Sequence, residues 1–416
     1  MICGKAACGM LYAVKRSGSS VGYCALSIRC GTRNEEGYHG GIAHFTEHTI
    51  FKGTSRKSSA CINNYLDKLG GELNAYTTKE EIVIHSTVLK EDLKKAANLL
   101  LELATCATFP DHEVDTERGV VIEEIKSYKD SPAEDVYDCF EGMLFDGHPL
   151  EKPILGTVES VKKIKPEELR RFVAEKFRPE AMAFTIVADF DEKLLERMIL
   201  KIIGRWFPDH EAGTPVAGVR PSDQGSYRMP QAPVFDKTVD KRNHEVNAVM
   251  GYLAPSLYEE KERITAVLLG NILGGPASNS ILNSILREKY GWVYAVESSY
   301  TQYSDTGVMA ISIGCEKPNL EKCCEAIGKE LEKLRTTELT PARLKAAKKQ
   351  LLGQLAISSD NGESQCLSMG KSLLAYGQIS SDGTIRSQIE SITAEDIRQM
   401  ACRIFDKEKI SRLVFL

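Results

Sequence analysis

The chain of 416 residues is longer than one ordinary domain, so its length predicts two or more folding units. The apolar fraction of 42% and the charged fraction of 27% are typical of a soluble globular protein. The net charge of −5 argues against a nucleic-acid-binding protein, which usually presents a basic face. No run of about 18 apolar residues and no signal-peptide pattern occur, so we expect a cytoplasmic protein without a membrane partner.

The cysteine pattern points to the same compartment. The 12 cysteines are scattered along the chain and include no CxxC pair. Several fall in apolar periodic runs such as LLELATCATF, so we expect buried, reduced thiols in a reducing cytoplasm. A disulfide framework is the alternative.

A segment rich in proline and glycine divides the chain. Residues 207–233, FPDHEAGTPVAGVRPSDQGSYRMPQAP, contain five prolines and three glycines and show little apolar periodicity. This composition is typical of a linker. It predicts a first domain over residues 1–206 and a second over residues 234–416.

The two halves predict the same order of elements: a strand, two helices, two strands and two further helices. In the first half these fall on VGYCALSIRCG, residues 40–52, SSACINNYLDKLG, ELNAYTTKEEIVIHSTVL, KEDLKKAANLLLELAT and HEVDTERGVVIEEIKSYKDS. In the second half they fall on NAVMGYLAP, KERITAVLLGNILGG, ASNSILNSILREKYG, VYAVESSYTQYSDTGVMAISIGC, NLEKCCEAIGKELEKLR and PARLKAAKKQLLGQLA. The periodicities predict an α+β fold of two homologous domains, each a mainly antiparallel sheet with helices packed on one face.

The string HFTEH, residues 44–48, has the composition of a metal site. Its apolar flanks place it on a helix, where His44 and His48 share one face at i, i+4. Two such imidazoles can bind one Zn²⁺ at roughly 2.0–2.1 Å each. Glu47 leans toward the same face and could take a proton from an activated water. A catalytic zinc site also needs a third protein ligand and one open position.

The third ligand is expected on the helix ERGVVIEEIKSY, residues 117–128. Glu117, Val121, Glu124 and Tyr128 form one stripe along it, whereas Glu123 points about 100° away. If this helix packs against the HFTEH helix, one of the two striped glutamates would ligate the metal. The other would hold a ligand in place.

The alternative is a chance motif, in which the histidines are core or surface residues of a metal-free protein. The repeat argues against it. The matching second-half helix, LYEEKERITAVLLGNILGG, has no histidine, and TPARLKAAKKQLLGQL has no carboxylate. Because only the first half carries both features, the shared fold does not require them. This favours a zinc site.

HFTEHTIFKGT followed by ERGVVIEEI resembles the inverted zinc motif of the pitrilysin and mitochondrial-processing-peptidase family, the inverzincins. The resemblance extends along the chain through GGELNAYTTKE, HPLEKPILGT and LREKYGWVYAVESS, and its length is similar to the short two-domain bacterial branch. It implies a zinc endopeptidase that uses one zinc ion per chain. It also implies that the two halves form half of a clamshell around a peptide substrate, usually with a second subunit.

Carried over residue by residue, the resemblance implies that His44, His48 and Glu124 are the zinc ligands. It implies that Glu47 is the general base and that Glu117 is a supporting residue in catalysis.

The resemblance assigns substrate contacts to both halves. It implies that Arg287 and Tyr294 bind the substrate and stabilise the developing oxyanion, and that Asn74 and Ala75 lie on an edge strand that pairs with the substrate backbone. One departure is visible in LGGPASNSILNSILREKYG, where relatives often carry Ser-Arg and a bulky residue. That departure touches no ligand.

We therefore expect a zinc endopeptidase that forms a homodimer, with Arg287 and Tyr294 of one subunit acting at the zinc site of the other. A non-catalytic or partner-dependent peptide-binding subunit is the main alternative, although such members typically lose HxxEH ligands, which this chain keeps. A zinc amidase or carboxypeptidase is another. An edge strand inside a closed chamber favours peptides over small molecules.

Overall fold

The computed structural model describes residues 1–208 and 234–416, so the predicted linker lies outside the described residues apart from residues 207 and 208. The elements of the first half are β1 (Ile2–Lys5), β2 (Leu11–Arg16), β3 (Val21–Ile28), α1 (Ile42–Thr49), α2 (Ser59–Asp67), β4 (Glu72–Thr77), β5 (Ile82–Leu89), α3 (Leu93–Cys106), α4 (Asp111–Lys129), α5 (Pro132–Leu144), α6 (Val158–Val161), α7 (Pro166–Lys176), β6 (Met182–Ala188) and α8 (Glu192–Trp206).

The elements of the second half are β7 (Asp236–Val239), β8 (Val246–Ala254), α9 (Glu260–Gly274), β9 (Val293–Gln302), β10 (Gly307–Cys315), α10 (Leu320–Thr336), α11 (Pro341–Asp360), α12 (Gly362–Tyr376), α13 (Asp382–Ser391), α14 (Ala394–Ile404) and β11 (Ser411–Phe415). The helix predicted on ASNSILNSILREKYG is mainly a π-helical segment, Asn283–Lys289. Polar caps set several helix starts. Ser58, Asp191 and Thr393 accept backbone N–H groups at the starts of α2, α8 and α14.

The two sheets repeat one topology. The first has the strand order β1-β2-β6-β3-β5-β4 and the second β7-β11-β8-β10-β9. From β2 onward the orders correspond strand for strand, and the parallel pairs β2–β6 and β7–β11 occupy the same place. The other neighbours in both sheets are antiparallel. The predicted α+β fold with a repeated, mainly antiparallel sheet is confirmed.

Each half of the sequence contributes one helix to the compact unit that the other half mainly forms. The first unit comprises Met1–Lys126, residues 152–208 and Ile357–Ser380, and the second comprises Ser127–Glu151, residues 234–356 and Ser381–Leu416. α12 therefore belongs to the first unit and α5 to the second. These helices hold equivalent places in the repeat, so each sheet is completed by a helix from the other half. The linear division at the linker did not include this exchange.

The exchanged helices cover the second face of each sheet. In the first unit the helices of the same half pack on one face, as predicted, while α12 packs on the other over Ala25, Val83 and Ala183. Small residues let these helices approach closely. A Cβ on Gly251 of β8, for example, would lie 2.5 Å from the ring of Phe140 of α5.

All 12 cysteines are free, in agreement with the predicted reduced thiols. Burial holds for half of them: Cys8, Cys24, Cys30, Cys315, Cys323 and Cys366. Within residues 1–208 and 234–416, no helix has both the length and the apolar character needed to cross a bilayer.

Candidate metal centre

The HFTEH string lies on α1, a helix of about two turns that is anchored in the core. Ile42 and Phe45 are fully buried, and His44 is only 6% exposed. The helix begins after Gly41, whose φ of 86° and close approach to the backbone of Leu155 and Gly156 exclude a side chain. Burial of the apolar side of α1 therefore fixes the direction in which its histidines point.

α4 brings the predicted third ligand to the histidines. Val121 and Ile125 anchor this helix in the same core. Oε2 of Glu124 lies 3.1 Å from Nε2 of His48 and 3.7 Å from Nε2 of His44. One donor atom from each residue falls within 4.8 Å of the others, and no second group of three such residues occurs in the described parts of the chain. The sequence-predicted ligand set is thus brought together.

The donor set fits a zinc ion. Oε2 of Glu124 is buried and makes no hydrogen bond to any described residue. Burial, together with the neighbouring His48, lowers the pKa of His44 to about 3, so this imidazole is neutral at physiological pH. Two imidazoles and a carboxylate whose donor atoms converge on one point are the ligand types of a catalytic zinc, which keeps a fourth position open.

Glu117, which the resemblance names as a supporting residue, contacts both His48 and Lys52, and the contact with Lys52 was not predicted. Its Oε2 lies 3.4 Å from Nδ1 of His48, and its Oε1 lies 2.6 Å from Nζ of Lys52. A proton on Nδ1 directed at Glu117 leaves the lone pair of Nε2 facing Glu124. Lys52 follows His48 by four residues in HFTEHTIFK, and this helical spacing was the available signal.

Glu47 contacts the end of the edge strand. The Thr77 hydroxyl donates a hydrogen bond of 2.8 Å to its Oε2. Burial raises the pKa of Glu47, whereas the Thr77 hydrogen bond and His48 act in the opposite direction. A carboxylate whose pKa is moved toward neutrality is a better proton acceptor at physiological pH. Thr77 follows Asn74 and Ala75 in GGELNAYTTKE, and its contact with Glu47 was not predicted.

Asn74 and Ala75 lie on an edge strand, as the resemblance implies. β4 ends the first sheet and pairs only with β5, where Asn74 is opposite His85 and Ala75 is opposite Ile84. Asn74 is exposed. The outer edge of β4 carries backbone N–H and C=O groups of the kind that an added strand can pair with.

Arg287 and Tyr294 belong to the second compact unit, whereas His44, His48 and Glu124 belong to the first. Arg287 is exposed on the π-helical segment. Tyr294, at the start of β9, is 55% exposed, and its hydroxyl donates a hydrogen bond of 3.1 Å to Oε1 of Glu316. This hydrogen bond raises the pKa of Tyr294, which keeps the phenol protonated and able to donate.

Comparisons with known families identify the chain. The model of insulinase, peptidase family M16, matches residues 12–158, and that of the peptidase M16 inactive domain matches residues 163–351. The chain belongs to peptidase family M16. The metal-binding group of His44, His48 and Glu124 lies inside the first match. Arg287 and Tyr294 lie inside the second. The resemblance to the pitrilysin-type zinc peptidases is confirmed.

Curated relatives match the M16 chain over most of both lengths. The Bacillus subtilis protein called uncharacterized zinc protease YmxG is 28% identical over 93% of this chain and 91% of its own. The Streptomyces coelicolor protein called uncharacterized zinc protease SCO5738 is 27% identical over 89% of this chain and 80% of its own.

Solved structures share the fold. A protease from Helicobacter pylori superposes with a TM-score of 0.87 at 19% identity and covers 100% of this chain and 99% of its own. A peptidase M16 inactive domain from Pseudomonas fluorescens gives 0.87 at 17% identity, with 100% and 97% coverage. Both comparisons confirm the two-sheet α+β architecture.

Proposed function

We propose that this M16 chain is a zinc-dependent endopeptidase that cleaves peptides or unfolded segments inside a closed chamber. The observation that carries the proposal is the hydrogen bond from Thr77 to Glu47. It joins the open edge of β4, where a peptide can pair, to the helix that holds both histidines. The names of the relatives, which are called zinc proteases, support the same conclusion.

His44, His48 and Glu124 would hold one zinc ion, which when bound supplies Lewis-acid activation of water and of the scissile carbonyl. Glu47 accepts the proton of the attacking water on its carboxylate and delivers it to the leaving amine. Thr77 orients that carboxylate through its hydrogen bond. Burial raises the pKa of Glu47. This pKa therefore lies closer than that of an exposed glutamate to the pKa of a water activated by a bound zinc ion.

The substrate would be held by backbone pairing along β4, at Asn74 and Ala75. Such pairing favours extended or unfolded segments over folded proteins, because only an extended backbone can continue a sheet. Arg287 and Tyr294 supply hydrogen-bond donors for the substrate and for the oxyanion that develops at the carbonyl. In this proposal the chain forms a homodimer, and each pair of donors acts at the zinc site of the partner subunit.

The alternative is a partner-dependent, non-catalytic subunit that binds peptides. The family model that matches the second half carries the name inactive domain, which suits a half that binds but does not hydrolyse. That half bears no part of the metal-binding group found in the described chain. The complete ligand set in the first half favours the catalytic proposal.

The test combines zinc content with cleavage of quenched peptides of about 10–30 residues, for the wild type and Glu47→Gln. We expect about one zinc per chain in both proteins and cleavage by the wild type alone, with a loss in kcat of at least about 100-fold in the variant. Zinc binding without cleavage by either protein would favour the binding subunit. Cleavage of single acyl amino acids but not peptides would favour an amidase or carboxypeptidase.

A further inference from the structure

A buried carboxylate that has no role in the proposed mechanism caps α1, the zinc-motif helix that carries HFTEH. Glu35 is fully buried, with an exposed fraction of 0%. Its Oε2 accepts a hydrogen bond of 2.9 Å from the backbone N–H of Gly41, and its Oε1 accepts one of 2.9 Å from that of Ala43. Glu35 is not part of the metal-binding group, so the contact calls for a separate explanation.

The start of α1 cannot be capped in the usual way. A helix N-terminus leaves backbone N–H groups without intrahelical partners, and Ser, Thr, Asp or Asn at the N-cap normally satisfies one of them. Here the N-cap is Gly41, which makes no side-chain cap. Its φ of 86°, with the Leu155 carbonyl 2.7 Å from any added Cβ, excludes those residues. Glu35, six residues upstream, takes over the function.

The loop that carries Glu35 is fixed to the end of the edge strand. The backbone N–H of Thr32 donates to the carbonyl of Thr78 at 3.2 Å, and that of Arg33 donates to the carbonyl of Lys79 at 2.9 Å. A Cβ on Gly31 would lie 2.4 Å from the Thr78 carbonyl oxygen, so the two backbones are in direct contact. Thr78 follows Thr77 directly. The same loop therefore contacts the residues after β4 through its backbone and the start of α1 through the Glu35 side chain.

Two lysines help to stabilise the ionised form of the buried Glu35 carboxyl group. Burial raises its pKa to about 7, while the backbone N–H groups of Ala43 and Gly41, followed by Lys152 and Lys79, lower it. The Lys152 ammonium donates to the Glu35 carbonyl at 3.5 Å, and the buried Lys79 donates to the Lys152 carbonyl at 2.5 Å. The carboxylate form, which can accept both N–H groups, predominates above neutral pH.

We infer that Glu35 is a positioning residue for the zinc centre. By fixing the start of α1 relative to the end of β4, it holds Glu47 against Thr77 and aims His44 and His48 at Glu124. It is not part of the metal-binding group, and both of its carboxylate oxygens accept N–H groups at the start of α1, so it acts through the helix. The catalytic part of this inference rests on the proposed peptidase function, whereas the metal-holding part does not.

The experiment compares Glu35→Gln with Asp191→Asn at pH 8, where Glu35 is ionised. Asp191 is a matched control, because its carboxylate also accepts two backbone N–H groups, those of Lys193 and Leu194, at the start of α8. We measure the melting temperature, the zinc Kd by chelator competition, and kcat and KM on a quenched peptide. For Glu35→Gln we expect a zinc Kd about tenfold weaker and a kcat about 10–100-fold lower, with KM within about twofold. Asp191→Asn should lower only the melting temperature.

A Glu35→Gln protein that keeps wild-type zinc Kd and kcat while its melting temperature falls would overturn the inference, because Glu35 would then be a purely structural cap. Glu35→Asp replaces it if the glutamine variant fails to fold, with the same criteria applied to a smaller change. If the wild type cleaves no peptide, the proposed function fails, and the zinc Kd alone then decides the positioning role.

Discussion

The hydroxyl of Thr77 donates a 2.8 Å hydrogen bond to Oε2 of Glu47. Thr77 is the last residue of the edge strand β4, and Glu47 lies between the two histidines of the zinc-motif helix. The place where a peptide can pair and the group that can accept a proton are therefore joined by one contact.

Thr77→Val should reduce kcat/KM by about tenfold, because a hydrogen bond to a charged group is removed and Glu47 loses its orientation. The same hydrogen bond lowers the pKa of Glu47, so its loss raises that pKa further. Glu47 must be deprotonated to act as a base, and the acid limb of the pH profile should therefore move to higher pH. Steady-state kinetics from pH 5 to 9 measure both effects.

Ser86→Ala is the matched control for Thr77→Val. The Ser86 hydroxyl donates to the carbonyl of Glu72 within the same strand pair but does not contact Glu47. It should lower stability without moving the acid limb, and Thr77→Ser should restore most of the activity. An unchanged pH profile in Thr77→Val would show that this contact does not tune the base.

Lys52→Met should weaken zinc binding by about 10–100-fold, because Glu117 loses the cation that holds it beside His48. Competition with a chromophoric chelator measures the zinc Kd. Lys57→Met is the control, since Lys57 pairs with the buried Glu102 in the same unit but away from the metal-binding group. Equal effects of the two variants on the zinc Kd would contradict the role of Lys52.

The zinc-free protein should lose stability in mild acid through His44. Its pKa is about 3 in the folded protein against 6.5 as its ordinary value, so the unfolded chain takes up a proton at a pH where the folded protein does not. The contribution of His44 to the free energy of unfolding is therefore present above pH 6.5 and falls as the pH drops toward 3. Between pH 7 and pH 5 this one group should cost roughly 2 kcal/mol.

Urea unfolding of chelator-treated protein at several pH values tests the His44 effect, with His44→Asn as the comparison. The variant should show a smaller loss of stability between pH 7 and pH 5 than the wild type. Parallel pH dependences in the two proteins would mean that His44 is not the group responsible.

Mixing Glu47→Gln chains with Tyr294→Phe chains tests the proposed homodimer. If Tyr294 acts at the partner's zinc site, a mixed dimer contains one site with both Glu47 and Tyr294 intact. Activity should then rise above that of either variant alone, toward about half of the wild-type activity per mixed dimer. Mixed dimers demonstrated by differently tagged chains, yet without recovered activity, would exclude action across the subunits.

The sequence by itself determined the repeated α+β architecture and predicted the candidate metal ligands, although spacing alone left the choice between Glu117 and Glu124 open, and the family resemblance favoured Glu124. Apolar periodicity placed HFTEH and the Glu117–Glu124 stripe on helices, and helical spacing fixed which side chains share a face. The second half has the same predicted elements but lacks these ligands. The comparison between the halves therefore showed that the shared fold does not require them. Local rules suffice here, since each helix carries its own pattern.

Only the tertiary structure decided the contacts between residues that lie on different elements of the fold. The exchange of α5 and α12 depends on packing across small residues such as Gly251, for which no local signal exists. Lys52 beside Glu117, Thr77 on Glu47 and Glu35 under α1 likewise join residues 6 to 65 positions apart in chain number. Such polar pairs form because burial leaves each donor and acceptor to be satisfied by whatever partner the packed core brings near.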